Sequence, residues 1–328
     1  MYSEGSLIYD ASRKPRILGK QVGSGGQGSV YEVESIPHLL IKIFHPDKLN
    51  HNDRFFDKLE AQIDMKSRIK EKISQRNVSW PQIAMFDASE SYLGYAMRKM
   101  NGIPLKYLAH TQLYEKKFPG ITRENIVNLM INLIDTVSKL HELEVYLGDI
   151  NLENVLCDST TWNVSLIDAD SYQVGDYPCP VGRPEMTPLE HHGKDFSSVK
   201  RTKESDCFSL AILMFHCFML GRHPYDNIGG GNPVENLEKG RFPYGTGGMA
   251  PGRDGAIPPG NWYNLWSHLS FKLKSLFIKT FKDGASDPSS RASLSEWKTA
   301  LQDYSYNIKS GYNTNEVFPR TPKSSDPQ

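Results

Sequence analysis

Two short stretches near the middle of the chain constrain it most. Leu147-Gly148-Asp149-Ile150-Asn151-Leu152-Glu153-Asn154-Val155-Leu156 sets an Asp and an Asn five residues apart and closes on an apolar pair. Fourteen residues after Asn154 comes Asp168, behind the apolar pair Leu166-Ile167 and ahead of Ala169-Asp170. Asp149, Asn154 and Asp168 form a set of hard oxygen ligands with one carboxylate to spare. Such a set suits a site where Mg²⁺ holds phosphates and a carboxylate orients a hydroxyl. Two plain hairpin turns would use the same residue types, because Asp and Asn are common in turns. A glycine-rich loop and a lysine far upstream decide between these readings.

Upstream, Ile17 to Val22 reads as a strand that runs into Gly23-Ser-Gly25-Gly26-Gln-Gly28, and Val30-Tyr31-Glu32-Val33 continues as a second strand. A Gly-x-Gly-x-x-Gly run that opens a helix suggests a dinucleotide site, and a following strand argues against that. Glycines at such a turn let backbone N–H groups approach phosphate oxygens. Lys42 interrupts the apolar run Leu39-Leu40-Ile41-Lys42-Ile43-Phe44. A strand lysine usually faces solvent, whereas one that faces inward needs an anionic partner. The helix predicted over 52–76 offers Glu60 as that partner, with Glu71 as the alternative.

The remaining pattern divides the chain in two. Residues 16–100 read as a small antiparallel sheet with one long helix, and the apolar patch Leu7-Ile8-Tyr9 either adds a strand or stays loose. Arg123 to Leu143 is an amphipathic helix with Ile126, Leu129, Met130, Leu133, Val137 and Leu140 on one face. A buried helix is predicted over 209–221, and further helices at about 263–282 and 293–303. Ten of the 26 glycines lie between Gly229 and Gly260, so the region 227–262 reads as an irregular Gly/Pro-rich insertion. Residues 306–328 are polar, contain three prolines and read as a flexible tail.

Composition excludes several classes. A hydrophobic content of 38% is ordinary for a packed domain, and a formal net charge of zero argues against nucleic-acid or anionic-membrane partners. The longest apolar stretch, Leu210 to Leu220, is too short to span a bilayer. The four cysteines show no CxxC spacing, and no basic-then-apolar leader opens the sequence, so a cytoplasmic protein with reduced thiols is expected.

In this order the parts resemble the eukaryotic-type protein kinase family over roughly residues 16–303. The family's glycine loop corresponds to Gly23, Gly25, Gly28 and Val30, its strand lysine to Lys42 and its helix glutamate to Glu60. Its catalytic-loop pair corresponds to Asp149 and Asn154, and its metal-loop Asp to Asp168. Gly182 to Glu190 stands where the activation region ends. Asp206 matches the Asp that holds the catalytic loop, and Arg291 the Arg that pairs with Glu190. The details are similar to a bacterial branch with G-D-[IL]-N-x-x-N and I-D-x-D-S-[YF]-Q, here Gly148 to Asn154 and Ile167 to Gln173.

The resemblance implies an α+β, two-lobed fold. A small antiparallel β lobe with one helix would occupy 1–100, and a larger helical lobe 101–305. It implies ATP and Mg²⁺ in the cleft and transfer of phosphate to Ser or Thr of a protein substrate. Asp149 would orient the hydroxyl. Lys42, set by Glu60, would bind the α- and β-phosphates under the loop of Gly23, Gly25, Gly28 and Val30. Met97 would back the adenine pocket, and Arg98-Lys99-Met100 would form the hinge. Asn154 and Asp168 would hold the metal. A cognate PP2C-type phosphatase or a von Willebrand-like domain protein, known beside some members in tellurium-resistance-type gene clusters, would be a partner.

Four departures from the family pattern matter, the mildest being Pro188-Leu189-Glu190 in place of A-P-E. Gly148 replaces the Arg of H-R-D, which implies activity without activation-loop phosphorylation. Asn151 replaces the catalytic-loop Lys, which keeps a pseudokinase, a nucleotide-binding scaffold, as the first alternative. A small-molecule kinase is the second. Asp170 replaces the Gly of D-F-G and reads first as a turn-stabilising residue and second as an added metal-site carboxylate. Among other features, His191-His192 and the cluster Lys200-Arg201-Thr202-Lys203 read as surface, Cys179 as exposed, and Trp262, Tyr263 and Trp266 as packing anchors.

Overall fold

Six apolar-rich segments near the N-terminus pair into one antiparallel sheet that closes on itself. They are β1 (Leu7–Asp10), β2 (Pro15–Ser24), β3 (Gly28–Val33), β4 (Leu39–Phe44), β5 (Pro81–Phe86) and β6 (Tyr92–Arg98). The order is β1-β2-β3-β4-β6-β5, and β5 returns to β1. This computed structural model describes residues 2–49, 53–228, 230–245, 257, 260–321 and 323. The patch at Leu7-Ile8-Tyr9 is therefore the strand that closes the barrel.

Closure gives β4 two unlike faces. Ile41 and Ile43 enter the barrel core with Ile8, Leu18, Tyr31, Val33, Met85, Leu93 and Ala96. Side chains alternate along a strand, so Lys42 and Phe44 leave on the opposite face. There Phe44, Tyr95 and Met97 pack against Leu59 of helix α1 (Asp53–Asp64). The single helix predicted over 52–76 is interrupted at Met65, a turn residue that keeps right-handed helical backbone, and resumes as α2 (Lys66–Lys72).

The second lobe is built on four helices: α3 (Arg123–Glu142), α4 (Lys203–Phe218), α5 (Phe271–Ile278) and α6 (Leu294–Lys309). Capping boxes start three of them. Thr122 and Asn125 open α3, Thr202 and Ser205 open α4, and Ser293 and Glu296 open α6. Helix α4 is apolar on nearly every side because it runs through the middle of the lobe. Its Phe215 sits among Phe242, Tyr244, Trp266, Phe277 and Phe281, with ring centroids 5.3–6.3 Å away. Trp266 is the buried anchor of the three aromatic residues named above, while Trp262 and Tyr263 are half-buried.

Short strands between the lobes carry the loops of the site. They are β7 (Ile103–Pro104), β8 (Val145–Tyr146), β9 (Val155–Cys157), β10 (Val164–Leu166) and β11 (Gln173–Val174). β9 and β10 form a hairpin extended by β7, and β11 pairs with β8. The two Asp-bearing stretches thus flank hairpins and also carry the site residues.

Three segments differ from expectation. The 263–282 helix is split into Trp262–Ser267, α5 and a π-turn over Lys279–Asp283. Within the region 227–262, Pro233–Glu238 is a helix capped by Asn232, and Phe242 and Tyr244 are buried in the lobe core. Residues 229, 246–256 and 258–259 of that region lie outside the described residues.

The expected flexible tail from 306 onward is instead fastened down. Helix α6 continues to Lys309, and Val317 is buried. The cause is Arg123, a buried guanidinium at the start of α3. It donates to the carbonyls of Glu316 and Val317 at 2.9 Å each and to the Tyr304 hydroxyl at 3.1 Å. Residues 322 and 324–328 lie outside the described residues. Arg123→Met should free this segment: limited proteolysis should cut between 310 and 321 at least about tenfold faster than in the wild type, as the local opening energy falls by more than about 1.4 kcal/mol.

Candidate active site

The catalytic-loop stretch is held from behind by one buried carboxylate. Asp206, in the first turn of α4, accepts from the Leu147 N–H at 2.8 Å and the Gly148 N–H at 3.0 Å. His141 Nε2 lies 2.9 Å from the same carboxylate. Backbone donors leave the peptide chain no freedom to rotate here, so Asp149 emerges at a fixed place. Its Oδ2 accepts from Asn154 Nδ2 at 3.2 Å, and its buried Oδ1 has no partner among the described residues. Asn151 is buried and faces inward. Its Oδ1 accepts from the Glu153 and Asn154 N–H groups, so its side chain stabilises the turn.

Lys42 reaches the loop of Asp168 to Asp170, not helix α1. Its ammonium donates to Asp168 Oδ1 at 2.7 Å, Asp170 Oδ2 at 2.8 Å and Gln27 Oε1 at 3.2 Å. Burial opposes its charge, but Asp170 and Asp168 outweigh that and raise its pKa. Burial pushes Asp170 up as well, yet the Lys42 charge and hydrogen bonds from Lys42 and Tyr95 hold it below the ordinary carboxylate range. Asp168 moves the other way, raised by burial and by the neighbouring Asp170 charge. Asp168 also adopts left-handed backbone at φ 62°, and its carbonyl accepts from the Ser171 N–H and hydroxyl.

Glu60 is not the partner of Lys42, and Glu71 is not either; both are exposed. The reason is helical geometry. The face of α1 turned to the site carries Lys58 and Gln62, four residues apart, and Glu60 lies two residues from each, about 200° around the helix. Lys58 donates to the carbonyls of Ser171 and Pro178 at 2.8 and 2.9 Å, and Gln62 to the Ala169 carbonyl at 2.9 Å. Burial lowers the Lys58 pKa to about 8. Asp170 is neither a turn-stabilising residue nor a free metal-site carboxylate, because both its oxygens are taken by Lys42 and Tyr95.

The glycine loop is the β2–β3 turn. Gly25 N–H donates to the Gly28 carbonyl at 3.0 Å. A Cβ at Gly28 would lie 2.2 Å from the Ile43 carbonyl, so close pairing with β4 requires glycine there. Gly23 pairs with Val30, which packs half-buried beside Phe44, Tyr95 and Met97. At the β6 end, the Arg98 carbonyl is taken by Ser79 Oγ, and the Lys99 N–H by the His38 carbonyl. The Arg98 side chain lines a hollow with Ile73, Gln75 and Val78. Of the expected hinge, Arg98 is thus already engaged within the protein, and Met100 is the half-buried residue that follows.

The absence of a side chain at 148 has a steric cause. Gly148 has φ +70°, and a Cβ there would lie 2.7 Å from Cys179 Cβ and 3.1 Å from Arg201 Nε. Arg201, expected on the surface, is buried; it stacks on Phe196 at 4.6 Å and donates to the Val181 carbonyl at 3.2 Å. Cys179 is buried rather than exposed, and burial pushes its thiol up to about 11. His191 is buried too, and burial lowers it to about 4. Farther on, Arg291 grips Glu190 through two hydrogen bonds of 2.7 Å. Tyr95, Gln62, Lys58 and Arg201 carried no motif signal. Only the pairing of β4 with β6, the phase of α1 and the path of the 179–201 segment bring them in.

Asn154 and Asp168 fit a metal ion that also binds phosphates. Asn154 spends its amide N–H on Asp149 and so aims a carbonyl oxygen the other way, while the Asp168 side chain is 36% exposed to the cleft. Mg²⁺ commonly takes one or two protein oxygens and completes its shell with phosphate and water. Among the described residues no cluster of three or more His, Cys, Asp or Glu could hold a metal without such help. No helix among them is long and apolar enough to cross a membrane.

Two outcomes follow. Asp206→Ala strands two buried backbone donors and should lower stability by about 2–6 kcal/mol in chemical denaturation, at about 1–3 kcal/mol per unsatisfied group. Lys58 is neutral in the folded protein above pH 8 but stays charged in the unfolded chain to about its ordinary 10.5. The unfolded chain therefore binds more protons in that window, and the destabilisation by Lys58 is relieved as pH rises. Stability of the wild type relative to Lys58→Met should be flat below pH 8 and rise from pH 8 to 10.

No family model matches the chain. It is similar to the protein kinase YegI of Escherichia coli K12, 25% identical over 316 residues, covering 92% of this chain and 46% of that protein. It is 25% identical over 170 residues to the human serine/threonine-protein kinase VRK2, across 47% of this chain and 31% of that one. A probable serine/threonine-protein kinase of fowlpox virus, FPV212, is 27% identical over 173 residues, across 50% of this chain and 55% of that one. The chain spans about half the length of the bacterial relatives it matches, 46% and 45%. Among solved structures, the kinase domain of Mycobacterium tuberculosis PknI superposes with a TM-score of 0.57, at 16% identity, over 93% of this chain and 99% of that one. The fold is the two-lobed α+β fold of a protein kinase domain, and the sequence is similar to proteins named as kinases.

Proposed function

We propose that the chain is an ATP- and Mg²⁺-dependent kinase that transfers the γ-phosphate to Ser or Thr hydroxyls of proteins. One observation carries this reading: among the described residues the buried Asp149 Oδ1 has no partner, and Asn154, bonded to the same carboxylate, is joined through its backbone carbonyl to the Ile167 N–H beside Asp168, which pairs with Lys42. An unpartnered buried carboxylate oxygen is costly unless something else supplies a hydrogen. A substrate hydroxyl supplies it.

In this reading Asp149 accepts the hydroxyl hydrogen, the oxygen attacks the γ-phosphorus, and the bond to ADP breaks. Lys42 binds the α- and β-phosphates. Backbone N–H groups near Gly23, Gly25 and Gly28 cover them. Met97 and Val30 pack on the base, and Met100 offers backbone groups to it. Asn154 and Asp168 would hold Mg²⁺, which neutralises phosphate charge when bound. Glu190, fixed by Arg291, supports a peptide platform at 182–190 and so a protein rather than small-molecule substrate. Arg201 fills the place of a side chain at 148 and fastens Val181, which supports activity without phosphorylation of the 171–190 segment. A cytoplasmic setting fits four unpaired, buried cysteines. A cognate PP2C-type phosphatase or von Willebrand-like partner rests on the resemblance alone.

One observation favours a second reading. Asn151 is spent on its own turn, so that position brings no cation to the phosphate. A pseudokinase that binds nucleotide without transfer is the result. Intact-mass and phosphopeptide analysis after incubation with ATP and Mg²⁺ separates the two. The wild type should gain phosphate on Ser or Thr, and Asp149→Asn and Asp168→Asn should do so at least about 100-fold more slowly. Nucleotide binding without phosphate on the wild type or on a protein substrate selects the scaffold.

A further inference from the structure

We infer that Asp170, held by Tyr95, is the residue that positions Lys42 for phosphate, in place of an acid on helix α1. The inference rests on the kinase reading above and assigns a positioning role within it.

The geometry separates the two aspartates that share the ammonium. Asp170 has a side chain 3% exposed, with Oδ2 on Lys42 at 2.8 Å and Oδ1 on the Tyr95 hydroxyl at 2.6 Å. Neither oxygen is left for a metal or a nucleotide. Asp168 is 36% exposed and bonds the same ammonium from the cleft side, through one oxygen. Gln27 makes the third contact from the glycine loop. An ammonium has three donors. Phosphate oxygens can enter only by replacing one of these acceptors. The two that lie at the open cleft are Gln27 and Asp168, and Asp170 is the one that stays.

Tyr95 is placed for this by sheet register. Lys42 and Tyr95 are directly opposed on β4 and β6, so their side chains leave the same face and meet one carboxylate. Among the residues of α1 whose side chains are described, no acid faces that side: Asp57, Glu60 and Asp64 are exposed. Lys58 and Gln62 of that helix donate instead to carbonyls of Ser171, Pro178 and Ala169. The lysine is therefore set by the loop that carries the metal-site Asp168, while α1 braces that loop through its backbone. Without Asp170, Lys42 would keep Asp168 as its anion and draw it away from the metal.

The test uses the full chain and reads KM for ATP and kcat separately, with ADP affinity in Mg²⁺ by calorimetry. Tyr95→Phe should raise KM for ATP about tenfold with kcat within about threefold. Asp170→Asn should lower kcat/KM about 100-fold or more, and Glu60→Gln should stay within about twofold of wild type. A merely structural role would lower the melting temperature and leave KM unchanged. A folded Asp170→Asn or Tyr95→Phe with wild-type KM overturns the inference, and so does a loss in Glu60→Gln equal to that in Asp170→Asn. If Asp170→Asn does not fold, Tyr95→Phe decides, because it keeps the ion pair. Absence of all transfer in the wild type overturns the kinase reading instead. ADP affinity then ranks the same variants, and wild-type affinity in Tyr95→Phe overturns the positioning role.

Discussion

The ammonium of Lys42 is the constraint on which the two lobes depend. It joins strand β4 to carboxylates 126 and 128 residues away, inside a site where an unpaired charge would be prohibitively costly. Closure of the barrel forces Lys42 outward, since Ile41 and Ile43 fill the interior. The lysine then has nowhere to go except toward the second lobe. Buried ion pairs contribute little net stability, because desolvation offsets attraction. What this one fixes is register between lobes and the placement of a charge in the cleft.

The catalytic loop is fixed by a different means. Asp206 holds the backbone at Leu147 and Gly148, so the position of Asp149 does not depend on its own side-chain contacts. Asn151 and Asn154 complete the turn from within. Polar networks of this kind stiffen a site when every member is satisfied, and the exception, Asp149 Oδ1, is the atom aimed at chemistry. Around it the chain replaces charged groups by packing. Where a side chain at 148 would project, Cys179 and Arg201 fill the space, and the 179–201 segment is fastened by Arg201 to the Val181 carbonyl.

Much of the fold was legible in sequence because its signals are local. Alternating apolar residues fix strands, a 3.6-residue stripe fixes α3, and Asp149, Asn154 and Asp168 sit at spacings set by a loop and a hairpin. The misreadings share a cause as well. Arg201, Cys179 and His191 looked like surface residues because local composition says nothing about what packs over a loop. The tail after 306 looked loose because its anchor, Arg123, is 193 residues away in sequence.

The sequence by itself determined which residue types were present at the site: a lysine in an apolar strand, three oxygen-bearing side chains in two loops, and glycines where a backbone must approach another. Those are properties of short windows, where spacing translates directly into geometry. Only the tertiary structure decided who partners whom. Whether Glu60 meets the site depends on the rotation of its helix, and the packing of Leu59 against Phe44, Tyr95 and Met97 sets that rotation. Once α1 is turned so, Glu60 faces solvent, and the carboxylate that holds Lys42 has to come from Asp170, across the cleft.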